Sequence, residues 1–330
     1  MIILRRYKMN NKNALFSILL AVIVLIFVSC TVADDGGEKD MGYDYYAINM
    51  NTDYPIKDTL PCSEGERVRV ILLIGQSNAT GCSVTSYLEK AVRADQFSEY
   101  SEGYDNLLIN YCIDNHRSTS GGEFVPVDLG CGSGEAFFGP EVGMAEQLSR
   151  AFPEEKIFIL KYTMSGYSLN FHWLYHRERA YIYNAFKIFV DTYMDYLLSK
   201  GYDASIDAVC WMQGESDTTE YKAERYYDNL TSFVSYLRED FSAYAGDDGI
   251  YFIDAGISSS PYCLPAYKNV NEAKLRFSLT SEKNVYFSTI DAGLTTLYEP
   301  EDEPDLGHYD AYSELLLGRM FAEEIIKIYK

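Results

Sequence analysis

The sequence predicts an α/β domain of three layers, with helices on both faces of a five-stranded parallel sheet. Apolar runs rich in β-branched residues recur at 67–74 (RVRVILLI), 156–162 (KIFILKY), 206–212 (IDAVCWM), 250–257 (IYFIDAGI) and 285–291 (VYFSTID). Longer stretches with helical spacing separate or follow them, at 140–151, 178–200, 223–241, 270–280 and 310–329. In the last of these Leu315, Leu316, Met320, Ile325 and Ile326 recur on one face. Strands that alternate with helices pair in parallel and are buried on both sides, which is why they read as continuous apolar runs. Five such strands commonly take the order 2-1-3-4-5, with ligands bound outside their carboxyl ends.

The elements belong to one domain, residues 66–330 of the 330. The segment 82–138, with STSGGE and GCGSGE, reads as a long surface loop. Residues 1–30 form a separate unit. Arg5, Arg6, Lys8 and Lys12 precede an apolar stretch from Ala14 to Val28 that is short for a membrane span. It ends in FVSC, which resembles the signal of a bacterial lipoprotein, with Cys30 as the lipidated residue. A plain signal peptide, a single-span anchor and a start at Met9 are the alternatives. Residues 31–65 read as a tether and irregular lead-in, and the acidic DDGGEKD resembles a surface-export tag. The expected location is therefore the bacterial cell envelope, lipid-anchored in the outer membrane and facing the periplasm or the exterior.

Charge narrows the partners. The chain carries 28 basic and 49 acidic side chains. Losing residues 1–29 removes four basic residues and no acidic one, so 24 face 49 and the net charge becomes −25. Such a body repels nucleic acid, and it meets a membrane only through the anchor. Besides Cys30 there are six cysteines, Cys62, Cys82, Cys112, Cys131, Cys210 and Cys263, whose spacing shows no pairing. Cys210, inside an apolar strand, is expected as a buried thiol.

Chemistry gathers at the strand ends. Gly75-Gln76-Ser77-Asn78 follows the first run, TMSGYSLNFHW the second and QGESD the third, and EPDLGHYD precedes the final helix. A serine hydroxyl attacks an acyl carbon only when a base takes its proton, and a carboxylate fixes the tautomer of a histidine base. Ser77, His308 and Asp305 supply those three types. Ser77 N–H, a backbone N–H at Gly166 and the Gln213 amide could meet a developing oxyanion. Ser77 and Asn78 could instead merely cap a helix. His172 and His176 have the i, i+4 spacing of a metal pair, but the intervening WLY lacks the glutamate of H-E-x-x-H. No metal and no cofactor are expected, and His172 and Trp173 are read as bordering the pocket. Trp211 is read as core. The absence of G-x-S-x-G counts against an α/β-hydrolase lipase.

GQSN at 75–78, FGPEVGMA at 138–145, KYTMSGYSLNFHW at 161–173, WMQGESD at 211–217 and DLGH at 305–308 together resemble the SGNH hydrolases. The resemblance covers about residues 66–330. It is closest to the branch of carbohydrate esterase family 6 and the sialate O-acetylesterase-like proteins. It implies a three-layer, flavodoxin-like fold and metal-independent hydrolysis of O-acetyl esters on sugars. It also implies that Ser77 is the nucleophile, His308 the base and Asp305 its partner. Ser77 N–H, Gly166 N–H and the Gln213 amide would form the oxyanion hole. Asn78 and Glu215 lie in the same blocks, Glu215 as an alternative acid to Asp305. Ser165-Gly166-Tyr167 departs from the more usual Gly-Gly-Thr, and Ala79 from the usual Met.

The expected activity is removal of acetyl groups from an oligo- or polysaccharide such as acetylated xylan. An acetylated sialic acid is the alternative, its carboxylate met by Arg177 and Arg179. Other readings are a surface glycan-binding lipoprotein that does not catalyse, and a lipid or thioester hydrolase on the same fold.

Overall fold

The computed structural model describes residues 48–174 and 180–329. The leader, Cys30, residues 31–47 of the tether, His176, Arg177 and Arg179 lie outside them. Six parallel strands make the main sheet: β1 (Arg67–Gly75), β2 (Tyr104–Ile113), β3 (Ile157–Thr163), β4 (Asp203–Met212), β5 (Tyr251–Ala255) and β6 (Asn284–Phe287). Their spatial order is β6-β5-β4-β1-β3-β2, and two short antiparallel strands, Ser118–Thr119 and Val125–Val127, extend the edge at β2. The five expected strands keep the order 2-1-3-4-5 among themselves. The sixth, β2, lies in the stretch read as loop. Its sequence, YDNLLINYCI, buries Leu107, Ile109, Cys112 and Ile113, but the buried Asn110 interrupts the apolar run.

Eight helices are used below: α1 (Ser77–Thr80), α2 (Thr85–Ala91), α3 (Ala94–Glu102), α4 (Pro140–Ala151), α5 (Tyr181–Ser199), α6 (Glu220–Asp240), α7 (Tyr267–Ser278) and α8 (Ala311–Tyr329). Helices α5 and α6 share one aromatic layer, and α6 packs on α7. Helix α8 returns to pack on α4, where Gly143 and Gly318 let the backbones touch. A Cβ on Gly318 would lie 1.9 Å from the Pro140 carbonyl oxygen.

The middle of β1, Val70–Ile74, is wholly buried, as a central parallel strand requires. An aromatic cluster fills the layer under α5 and α6. Trp173 packs edge-on against Trp211 at 5.2 Å between ring centroids and touches Tyr162, Phe186 and Phe233. Trp211 is core, as read. Trp173 is core as well, with no exposed surface, and does not border a pocket. Cys210 is a buried free thiol in β4.

Residues 48–66 carry no helix or strand until β1 begins, yet they belong to the domain and not to a tether. Tyr54 is buried, with its hydroxyl donating to Ala185 O at 3.1 Å, and Leu60 N–H donates to the Tyr196 hydroxyl at 3.2 Å. Both contacts lie on α5, whose surface this segment covers.

Candidate active site

The site begins where β1 stops. The sheet ladder runs one residue further, with Gln76 N–H on Met212 O and Met164 N–H on Gly75 O, both at 3.0 Å. At Gly75 three strands crowd together. Its φ is +145°, and a Cβ there would lie 2.0 Å from Met212 O, so only glycine fits. The chain then turns at once into the single helical turn α1. Gln76 occupies the cap position without a side-chain cap bond. Its side-chain oxygen instead accepts from Gly214 N–H (3.4 Å) and Ser216 N–H (3.2 Å), tying the QGESD loop to the serine turn.

Neither Ser77 nor Asn78 caps the helix through its side chain. The Asn78 amide nitrogen donates to Glu215 Oε1 at 2.6 Å and to Gly307 O at 3.2 Å, while its oxygen accepts from Tyr309 N–H at 3.2 Å. Asn78 thus grips the backbone on both sides of His308. Ser83 Oγ adds a bond to Tyr309 O at 2.7 Å. The turn 77–83 and the turn 305–309 are held face to face.

His308 is oriented from its far side. Its Nδ1 lies 2.6 Å from Asp305 Oδ2, and Asp305 Oδ1 accepts from Gly307 N–H at 3.0 Å. Burial opposes ionisation of Asp305, but His308 and the backbone N–H groups outweigh it and hold the carboxyl below its usual range. Burial likewise opposes a charge on His308. The influence of Cys82 and of the Asp305 carboxylate outweighs it, so the imidazole is held well above its ordinary value.

Glu215 does not hold His308. It is buried with Asn78 as its partner, its second oxygen has none among the described residues, and burial pushes its pKa up. Its place is behind Asn78.

Gln213 is corrected as an oxyanion donor. It has no exposed surface, and its amide nitrogen donates to Asp217 Oδ2 at 2.6 Å and Tyr167 O at 3.3 Å. Its oxygen accepts from the Tyr226 hydroxyl at 2.9 Å. An amide has two N–H donors, and both are engaged inward. Gln213 braces the turn that carries Gly166, and Asp217 completes the brace by accepting from Leu169 N–H (2.8 Å) and Asn170 N–H (3.1 Å).

Gly166 has φ +79°, in the left-handed region that glycine tolerates. Its neighbour Ser165 is fixed by its N–H on Asp114 Oδ1 at 2.7 Å and by its hydroxyl against Thr80 Oγ1 at 3.2 Å. The N–H groups of Ser77 and Gly166 have no acceptor among the described residues. They are the donors this arrangement can offer to a developing oxyanion.

His172 stands edge-on to Tyr167 at 4.9 Å, with Nδ1 2.9 Å from Ser168 Oγ. Burial first, and then the charge of Lys222, push its pKa down to about 4. Among the described residues no group of three or more His, Cys, Asp or Glu side chains is placed to hold a metal ion.

Two site-building residues escaped the sequence reading. Asp217 is one. The other is Lys161, a lysine in the middle of an apolar strand, which was the available signal. Wholly buried, it donates to Thr80 O (2.8 Å), Cys131 O (2.8 Å) and Glu141 Oε2 (2.6 Å). It joins the end of α1 to the start of α4.

A six-strand, mostly parallel sheet flanked by helices, with polar residues at its carboxyl ends, fits the SGNH hydrolase fold. The chain belongs to the carbohydrate esterase, sialic acid-specific acetylesterase family, whose model matches residues 67–327. It is accordingly a carboxylic ester hydrolase acting on acetylated carbohydrate. Similar solved structures include NanS (14% identity, TM-score 0.58, 81% of this chain and 99% of that one). A protein from Arabidopsis thaliana is another (19% identity, TM-score 0.55, 78% and 98%). At these identities they show the fold. No curated protein matches the chain.

The grip of Asn78 is directly testable. Asn78→Ala leaves Glu215, Gly307 O and Tyr309 N–H without their partner, which costs about 1–3 kcal/mol. Urea unfolding should show that loss, and amide exchange at Tyr309 should accelerate. Unchanged exchange at Tyr309 would mean that the two turns are held by something else.

Proposed function

We propose that the protein is a serine-dependent O-acetylesterase in which Ser77 is the nucleophile, His308 the base and Asp305 the group that orients it. One observation carries this reading: Asn78 holds the backbone on both sides of His308 against the serine turn, while Asp305 occupies Nδ1. His308 Nε2 takes the Ser77 proton as Oγ attacks the acetyl carbonyl, and the N–H groups of Ser77 and Gly166 meet the oxyanion. The ring then hands the proton to the departing sugar hydroxyl. Water repeats the cycle on the acetyl-enzyme and releases acetate.

For the substrate, an acetylated neutral glycan such as xylan suits a chain of net charge −21. A second reading, an acetylated sialic acid, is favoured by Lys222. Its ammonium donates to Ser216 O at 3.3 Å and lies over the Phe171 ring, with no carboxylate partner among the described residues. Acetate release from both substrates should vanish in Ser77→Ala, and the faster substrate names the sugar class. A folded Ser77→Ala that still releases acetate would sink the nucleophile assignment, and no release by the wild type would favour a glycan-binding role.

The base must be neutral to work. kcat/KM should therefore rise with pH through a midpoint above the ordinary imidazole value of about 6.5. Asp305→Asn removes a group that raises that pKa, so the midpoint should fall. The wrong tautomer should lower the rate by about 10⁴-fold. A midpoint that stays in place in Asp305→Asn would remove Asp305 from this role.

We further infer that the enzyme works from the cell envelope, tethered through a lipidated Cys30. The basic start, apolar stretch and FVSC sequence support it. Cys30→Ser should move the protein out of the detergent-extracted membrane fraction, and unchanged fractionation would count against the anchor.

A further inference from the structure

We propose that Asp114 is a positioning residue for the oxyanion donor at Gly166, aimed by a strained turn that the lead-in residues 49–54 clamp. The proposal rests on the reading of Gly166 N–H as an oxyanion donor.

Strand β2 ends at Ile113, and the short strand Ser118–Thr119 pairs back on it, Ser118 opposite Ile113 and Thr119 opposite Cys112. The four residues between form a tight turn, closed by Arg117 N–H on Asp114 O at 3.3 Å. Asp114, Asn115 and His116 have φ of +48°, +55° and +73°, three successive residues in the left-handed region with no glycine among them. A hairpin turn with two central residues of positive φ is usually built from Asn-Gly. Asp, Asn and His tolerate the left-handed region better than other side chains. Even so, such residues persist only where their surroundings over-determine them.

The lead-in supplies those surroundings. Asn115 Oδ1 accepts from Asn51 N–H at 2.7 Å, and its Nδ2 donates to Asn49 O at 3.1 Å. His116 Nε2 lies 3.1 Å from Asn51 O, and its ring stacks on Tyr54 with 5.1 Å between centroids and 15° between planes. Tyr54 is itself anchored in the core, edge-on to Phe189 and Tyr162. Glycine at 115 or 116 would satisfy the turn alone. The side chains present satisfy the turn and bind the lead-in to it.

On its other side the turn reaches the site. Asp114 N–H donates to Thr163 O at 2.9 Å, which carries the β2–β3 ladder one residue past Ile113. The side chain then extends the hold: Oδ1 accepts from Ser165 N–H at 2.7 Å, while Oδ2 meets Arg117 at 2.9 Å. A carboxylate acceptor makes a stronger bond than a neutral carbonyl does. Gln213 grips the Gly166 turn from beyond it, at Tyr167 O, and Asp114 grips it from before, at Ser165 N–H. An oxyanion donor works by being aimed before the charge develops. Loosening Ser165 should therefore slow the chemical step and leave ground-state binding alone.

The test measures kcat and KM on 4-nitrophenyl acetate, and amide exchange at Ser165, in the full chain. Asp114→Ala should lower kcat at least about 10-fold with KM little changed, short of the about 10²–10³-fold cost of losing a donor outright. Asp114→Asn keeps an oxygen for Ser165 N–H and should recover most of that loss. His116→Gly suits the turn but removes the stack on Tyr54. It should lower kcat too, whereas a turn of purely local importance would leave kcat unchanged. The double variant Asp114→Ala/His116→Gly should be no slower than Asp114→Ala, because both changes act through one carboxylate. Exchange at Ser165 should accelerate in each slowed variant. A wild-type kcat in Asp114→Ala or His116→Gly, a loss carried by KM, additive losses in the double variant, or unchanged exchange would each overturn the proposal. Should Asp114→Ala not fold, Asp114→Asn and His116→Gly carry the same readouts. Exchange is read without substrate. Its acceleration in a protein that releases no acetate would support the brace and sink the esterase mechanism alone.

Discussion

Everything at this site depends on one amide. The residues that supply the hydroxyl and the imidazole lie more than two hundred positions apart, at opposite ends of the domain. Sheet pairing brings neither to the other, because β1 is central and the turn 305–309 follows the edge strand β6. Asn78 closes that gap with one donor group and one acceptor, spent on Gly307 O, Glu215 and Tyr309 N–H. Carbonyl, carboxyl and amide partners cannot be matched by an apolar side chain of similar size, and an aspartate lacks the donors. Glu215 is part of the same constraint. Buried and with a raised pKa, it fixes the amide so that Asn78 cannot rotate away.

Around that contact lies a frame of buried charge. Lys161 meets Glu141 on one side of the sheet, and Lys274 meets Asp254 at 2.6 Å on the other, with Lys274 also donating to Ala255 O at 2.8 Å. Burying such pairs gains little net stability, but removing one member strands the other. Their value here is geometric. Lys161 fixes the end of α1 through Thr80 O, and Lys274 fixes the carboxyl end of β5. Both act near the edge of the sheet where the site sits, and both leave the apolar layers beneath undisturbed.

The sheet was legible because parallel strands are apolar on both faces, so β1, β3, β4, β5 and β6 stand out as runs. β2 did not, since Asn110 and the polar residues around it look like loop until their pairing with β3 is known. Ser77, His308 and Asp305 were legible as candidates because few residue types can do the proposed work; Ser77 follows β1, and Asp305 and His308 lie in the turn before α8. The direction of a side chain was not. Gln213 carries the right amide in the right loop, yet Asp217, four residues on, draws it inward. Trp173 follows a candidate site histidine, yet its ring enters the core. Local sequence fixes neither choice, because each is settled by a partner elsewhere in the fold.

The inward turn of Gln213 bears on how an oxyanion could be met. A side-chain amide used as a donor must be held in one rotamer, and holding it takes hydrogen bonds that then occupy its protons. Backbone N–H groups avoid that conflict, because the chain itself fixes them. At Ser77 the sharp exit from β1 points the N–H out of the ladder, and at Gly166 the left-handed turn does the same. Gln213 and Asp217 then act one step removed: by holding Tyr167 O and the amides of Leu169 and Asn170, they keep the Gly166 turn from relaxing. Donors aimed before the charge develops cost no reorganisation when it appears. On the proposed mechanism, the buried polar network around Gln213 supplies rigidity to two backbone donors instead of a third donor of its own.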